Sequence, residues 1–135
     1  MRNAPERSDK CPWGEKPTYN DPLSQQSFSF ALRIIKLCKY LQSEHKEYIL
    51  SKQVLRSGTA IGALIAEAKY AQSKADFLNK LMIALKETNE TKYWIKLLYH
   101  SEYLTTPMYK SLLPEVESLL KLLVASTKTT KKVTQ

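Results

Sequence analysis

Arg56, Glu67, Glu87 and Glu90 are charged side chains set among apolar neighbours, and two kinds of chemistry are open to them: ion pairing inside a fold, or proton transfer between carboxyl groups. Proton transfer needs a nucleophile, a metal or a shaped pocket beside it. A di-metal bundle would carry Glu three residues before His, but Gln42 precedes His45 and Leu97 precedes His100. Two histidines and the separated Cys11 and Cys38 offer no zinc spacing, and both thiols are expected reduced. Gly58 and Gly62 lack the third glycine and preceding strand of a dinucleotide fingerprint, and no Gly-x-Ser-x-Gly elbow occurs. The expectation is a protein that is not an enzyme and holds no metal or cofactor. Ion pairing is then the use of the charged set. Desolvating an arginine alone is costly and its fork fits a carboxylate, so Arg56 is expected to pair with Glu87 or Glu90, with Gln53 and Glu67 in the same polar network.

A second set of residues could meet phosphate. The formal charge is +8. Arg33, Lys36 and Lys39 share one helical side, Lys92, Lys96 and Lys110 surround Tyr93, Trp94, Tyr99, Tyr103 and Tyr109, and Lys128, Lys131 and Lys132 close the chain. Such a balance suits a nucleic acid bound through its phosphates, with counterion release. Aromatics between basic groups suit stacked bases and equally suit a bundle end or subunit interface. A solvated helical surface with a basic tail gives the same composition, so a structural or protein-interaction module without nucleic-acid binding is the alternative.

The elements that must position these residues are helices. With 135 residues, 43% hydrophobic and 25% charged, the chain supports one domain with a real core. No run of about 18 uncharged apolar residues exists, so a cytoplasmic protein without a membrane partner is expected. Residues 1–23 carry four of the six prolines among polar residues and are expected to form a disordered or loosely docked leader around Trp13 and Tyr19. Residues 24–126 are expected to form an antiparallel up-down-up-down four-helix bundle, followed by a disordered basic tail over 127–135. The first helix should begin at an N-cap on Ser24 or Ser27 and run to Ser43; the second spans about Glu47 to Ala71. The third follows an N-cap at Ser73 with the seam Phe77, Leu81, Ala84, Thr88, Thr91, Ile95 and Leu98, and ends at Thr105-Thr106-Pro107. The fourth runs from Met108, or from nearer Leu113 because of Pro114, to Ser126 with Leu112, Val116, Leu119, Leu120 and Leu123 inward. Gly58, Gly62 and Ala66 form a line of small residues at four-residue spacing. Each glycine in a helix interior costs about 1 kcal/mol relative to alanine, so a close backbone approach by a helix or a second subunit is expected there.

The run Leu55-Arg56-Ser57-Gly58-Thr59-Ala60-Ile61-Gly62-Ala63-Leu64-Ile65-Ala66-Glu67-Ala68, followed by Ala71-Gln72-Ser73-Lys74, Asp76-Phe77, Ile83-Ala84-Leu85-Lys86-Glu87-Thr88, Glu90-Thr91 and Tyr93-Trp94, resembles a bacterial four-helix bundle family. That family includes proteins encoded by intervening sequences in large-subunit ribosomal RNA genes and is similar to the accessory variability determinants of diversity-generating retroelements. The likeness covers roughly residues 26–122, and Leu64 stands where the family pattern usually has Asn. The resemblance implies an up-down-up-down bundle assembled as a homopentamer, a role with RNA or DNA, and in the retroelement branch a reverse transcriptase partner.

Overall fold

The computed structural model describes residues 21–133 together with 10, 11, 14 and 15. Four helices carry the fold: α1 (Pro22–His45), α2 (Leu50–Ala68), α3 (Lys74–His100) and α4 (Thr106–Val133). Ahead of them the two-residue pairs Lys10–Cys11 and Gly14–Glu15 run antiparallel. The rest of the expected leader, with Trp13 and Tyr19, lies outside the described residues.

Local chemistry sets each boundary. α1 starts earlier than expected, because Asp21 is its cap: the carboxylate accepts from the Ser24 amide, and Pro22 takes a first-turn position that needs no N–H. Ser27 instead is buried, its hydroxyl donating to Ser24 O. Lys46, left-handed at φ 53°, ends α1 with its amide donating to Leu41 O. α2 starts at Leu50 rather than Glu47 because Glu47 is used as the cap: its carboxylate accepts from the amides of Ile49, Leu50 and Ser51 at 3.3, 3.0 and 2.8 Å. Partial burial pushes this carboxyl up, yet the three amides together outweigh that and hold it below the usual carboxylate range. A lowered native value stabilises above the unfolded value near 4.5 and loses that contribution as pH falls through the native value. Glu47→Ala should therefore cost about 1 kcal/mol at neutral pH, and the difference from wild type should shrink in urea melts taken below pH 4.

Beyond Ala68, the amides of Lys69, Tyr70 and Ala71 bond three residues back, tightening the last turn so that α2 ends before Ala71. Ser73 then caps α3, accepting from the Asp76 amide at 3.0 Å while Asp76 accepts from the Gln72 amide at 3.1 Å. The two contacts form a reciprocal capping pair. All seven seam residues of α3, from Phe77 to Leu98, are buried. α3 stops at His100, and Glu102 follows with φ 71°. Pro107 opens the next helix instead of only interrupting the last one, with Thr105 Oγ1 accepting from the Met108 amide. Pro114 lies inside α4 on its exposed side, so the helix starts at Thr106 and not near Leu113. The largest revision is at the end: residues 127–133, expected as a disordered tail, continue α4. Thr127 and Thr130 extend the buried row of Leu112, Val116, Leu119 and Leu123, and each hydroxyl is satisfied by a carbonyl of the preceding turn. Leu120 is only half-buried.

The core is one cluster contributed by all four helices, with Phe30, Ile34, Ile61, Leu81, Ile95 and Leu119 at most 1% exposed. α2 packs against α1 and α3, α3 also against α4, while α1 and α4 meet along the least of their length. Gly58 faces Ile34, Gly62 faces Ser27, and Ser57 Oγ accepts from Thr91 Oγ1 at 2.9 Å. The close approach expected at the small-residue line is real at Gly58 alone. A Cβ there would stand 2.8 Å from Ile34 Cγ2, whereas a Cβ at Gly62 would meet Ser27 O at an ordinary 3.5 Å, and Ala66 is exposed.

Candidate nucleic-acid interface

The sequence-predicted basic residues divide into two groups. Arg33 does not face solvent phosphate: it bonds Ser111 Oγ at 2.8 Å and Ser111 O at 3.2 Å and pairs with Glu115, clasping α1 to α4. Lys92 pairs with Glu117 at 3.3 Å with its side chain only 23% exposed. Both are thus engaged by acids of α4 at the partly exposed rim of the bundle. Lys36 and Lys39 on α1, Lys96 on α3, Lys110 at the start of α4 and Lys128, Lys131 and Lys132 near its end are exposed. They do not form one patch. Lys110 and Lys128 stand 18 residues apart on one helix, roughly 27 Å along its axis.

The charged network between α2 and α3 lies at their partly exposed edge and is tighter and smaller than expected. Arg56 Nη1 reaches Glu87 Oε2 at 2.8 Å and Oε1 at 3.2 Å, and its other terminal nitrogen pairs with Glu90. Trp94 Nε1 donates to Glu90 Oε2 at 2.9 Å. That indole contact, opposed by partial burial and helped by Arg56, holds the Glu90 carboxyl below the usual range, while the two carboxylates raise the Arg56 guanidinium. Gln53 is exposed with no contact to this group, and Glu67 pairs with Lys80 at 3.5 Å instead. Trp94 was the member that charge-based reading passed over, although its place four residues after Glu90 puts both on one helix face.

Other acids are similarly engaged. Asp21, Glu47 and Asp76 cap helices, and Glu67, Glu87, Glu90, Glu115 and Glu117 each meet a cation. Glu44 and Glu102 are exposed outside these contacts, against a larger number of exposed lysines.

Aromatic rings gather at the end of the bundle where α1 and α3 finish and α4 begins. Tyr99 and Tyr109 stack with centroids 4.0 Å apart and planes within 2°, and His100 sits edge-on to Tyr99 at 5.1 Å. His45 makes edge contacts with both Tyr40 and Tyr103 at 5.3 Å. On the outer side of α1, Phe28, Leu32 and Ile35 are 67%, 50% and 37% exposed at helical spacing. Between α1 and α4 a cleft of about 300 Å³ is lined by Gln26, Ser29, Pro114, Glu115 and Ser118. Among the described residues no group of three or more His, Cys, Asp or Glu side chains is placed to hold a metal ion. No helix of the described residues is long and apolar enough to cross a membrane.

Comparison with known proteins decides the family. The model of the 23S rRNA-intervening sequence protein family matches residues 22–125. The chain belongs to this family. A solved structure of a protein of unknown function from the S23 ribosomal protein family of Bacteroides thetaiotaomicron VPI-5482 is 52% identical, with a TM-score of 0.77 over 78% of this chain and 98% of that one. No curated protein matches the chain. The family match opens on Pro22, the first residue of α1, and stops at Ala125, so this intervening-sequence protein carries Lys128, Lys131 and Lys132 beyond the matched segment.

Proposed function

We propose that this intervening-sequence protein is a non-enzymatic, self-associating helical bundle that binds RNA or DNA through phosphates. One observation carries the reading: most of the bundle's acids are engaged by helix caps or by ion pairs within the chain, while exposed lysines such as Lys36, Lys39, Lys96, Lys110 and Lys128 lie outside those pairs on a chain of charge +8. An rRNA-related family name accords with it. The up-down-up-down arrangement is supported by the facing pairs Gly58 with Ile34, Arg56 with Glu87, and Lys92 with Glu117. Self-association is supported by the exposed Phe28, Leu32 and Ile35 stripe, which one bundle leaves uncovered. Five copies, and service as an accessory to a reverse transcriptase, are finer forms of the reading that rest on the resemblance at Leu55–Ala68 and the segments following it.

Fluorescence anisotropy with labelled RNA and DNA at low salt tests the binding. The logarithm of affinity should fall linearly with the logarithm of salt, and Lys36→Gln with Lys39→Gln should reduce the slope by roughly 1–2. Absence of binding at low salt refutes nucleic-acid association. Protein partners that survive both high salt and nuclease, with no such binding, favour the interaction-module alternative. Native mass spectrometry reads the copy number, and a monomer refutes self-association.

A further inference from the structure

The basic surface explains attraction to a polyanion but not the aromatic stack built into one end of it. Tyr99 closes α3 and Tyr109 lies in the first turns of α4; their rings are parallel at 4.0 Å, and the Tyr99 hydroxyl is 3.1 Å from Thr106 Oγ1. Neither ring is fully buried. Both rings pack against the core on one side and are half exposed on the other, and a flat ring can add to the stack from the exposed side. His100, exposed, flanks both rings edge-on, at 5.1 Å from Tyr99 and 6.3 Å from Tyr109. Cations stand at the right places. Lys96 is exposed and lies one helical turn before Tyr99 and His100, on their side of α3. Lys110, also exposed, follows Tyr109 directly on α4. Of the acids near this end, Glu117 is paired with Lys92, while Glu102 in the link between the helices and Glu44 at the end of α1 are exposed.

We infer that this end of the α3–α4 seam is a binding site for single-stranded nucleic acid, in which an unpaired base extends the Tyr99–Tyr109 stack and the flanking phosphates meet Lys96 and Lys110. The occupant follows from the juxtaposition. A duplex presents phosphates but keeps its base faces covered, so it would use the lysines and leave the stack idle. A single strand offers both, and stacking tolerates any base. The inference deepens the phosphate-binding reading and depends on it.

The test uses the full-length protein and short oligo-dT and oligo-rU strands, each carrying one 2-aminopurine, beside a duplex of equal length. Wild type should bind the single strands more tightly than the duplex and quench 2-aminopurine. Tyr109→Leu, which keeps apolar bulk but removes the ring, should weaken single-strand binding about tenfold and abolish the quenching while duplex binding is unchanged. Tyr109→Phe keeps the ring and should behave as wild type, with circular dichroism verifying helix content in each variant. Should Tyr109→Leu fail to fold, wild-type quenching and its single-strand preference decide the matter alone. Equal affinity for duplex and single strand with no quenching overturns the stacking site while leaving phosphate binding standing. No binding of any strand at low salt overturns both. Equal response to oligo-dT and oligo-rU assigns the site to either nucleic acid, and a response to one alone names which it takes; both support it.

Discussion

Gly58→Leu will cost about 3 kcal/mol, the upper part of the range for forcing extra atoms into a filled core. The new side chain would begin with a Cβ 2.8 Å from Ile34 Cγ2 and 2.9 Å from Cγ1, and Ile34 is fully buried and branched at Cβ, so it has no open direction to swing. Ile34→Ala alone will also cost about 3 kcal/mol by leaving a cavity. Together the two changes exchange volume across the α1–α2 contact, and the double variant should be more stable than the sum of the singles by about 2 kcal/mol. Denaturant melts of the four proteins measure that coupling directly; strict additivity would mean that Gly58 and Ile34 do not share the space. Gly62→Ala is the control with the opposite sign. Its Cβ fits at 3.5 Å from Ser27, so removing the glycine's helix penalty should stabilise the bundle by about 0.5–1 kcal/mol.

Arg56→Met will reverse the direction in which acid acts on this part of the bundle. In wild type the Glu90 carboxyl is held low, first by the Trp94 indole and then by Arg56, so its contribution is present above pH 4.5 and is lost as pH falls through the native value. Without the guanidinium, Glu87 and Glu90 are left close together with no cation between them, and Glu87 is the more enclosed at 15% side-chain exposure. Protonating one of the pair then relieves repulsion. The variant should lose about 1–2 kcal/mol at pH 7, a figure kept modest because Arg56 is half exposed and screened. Acidification from pH 7 toward 5 should narrow that deficit, with urea midpoints of the two proteins converging. Parallel midpoints across that range would show that the two carboxylates do not feel each other.

Helix number, the α3 seam and the Arg56 pairing were legible because each rests on spacing alone. Phe77 through Leu98 keeps a strict three-four rhythm, and Arg56 stands at the height where the neighbouring α3 brings Glu87 and Glu90. What misled was residue identity taken for role. Thr127 and Thr130 look like tail residues, yet a threonine whose hydroxyl bonds the preceding turn packs its methyl like valine, and α4 runs on. Arg33 and Lys92 look like surface cations until Glu115 and Glu117 arrive from a helix 82 and 25 residues away. No local pattern announces such a pairing. Glu47 looks like the neighbourhood of a helix start, yet its carboxylate serves the helix that follows from just outside it. The division of the glycine pair, one pressed on Ile34 and one with room to spare, depends on the facing helix and is written nowhere in α2 itself.

The Arg33 clasp bears on where the bundle is held least tightly. α1 with α2, α2 with α3 and α3 with α4 are joined by short links, so each pair closes a small loop at little entropic cost. The α1–α4 seam instead joins residues 78 and 82 positions apart, touches along the least length, and borders an open cleft. Contacts of that separation carry the largest loop-closure cost in the bundle. The first and last helices are thus the seam by which the barrel of the bundle is latched. A transient opening there would bare the inner sides of α1 and α4 while α2 and α3 stay paired through Ser57, Thr91 and Arg56.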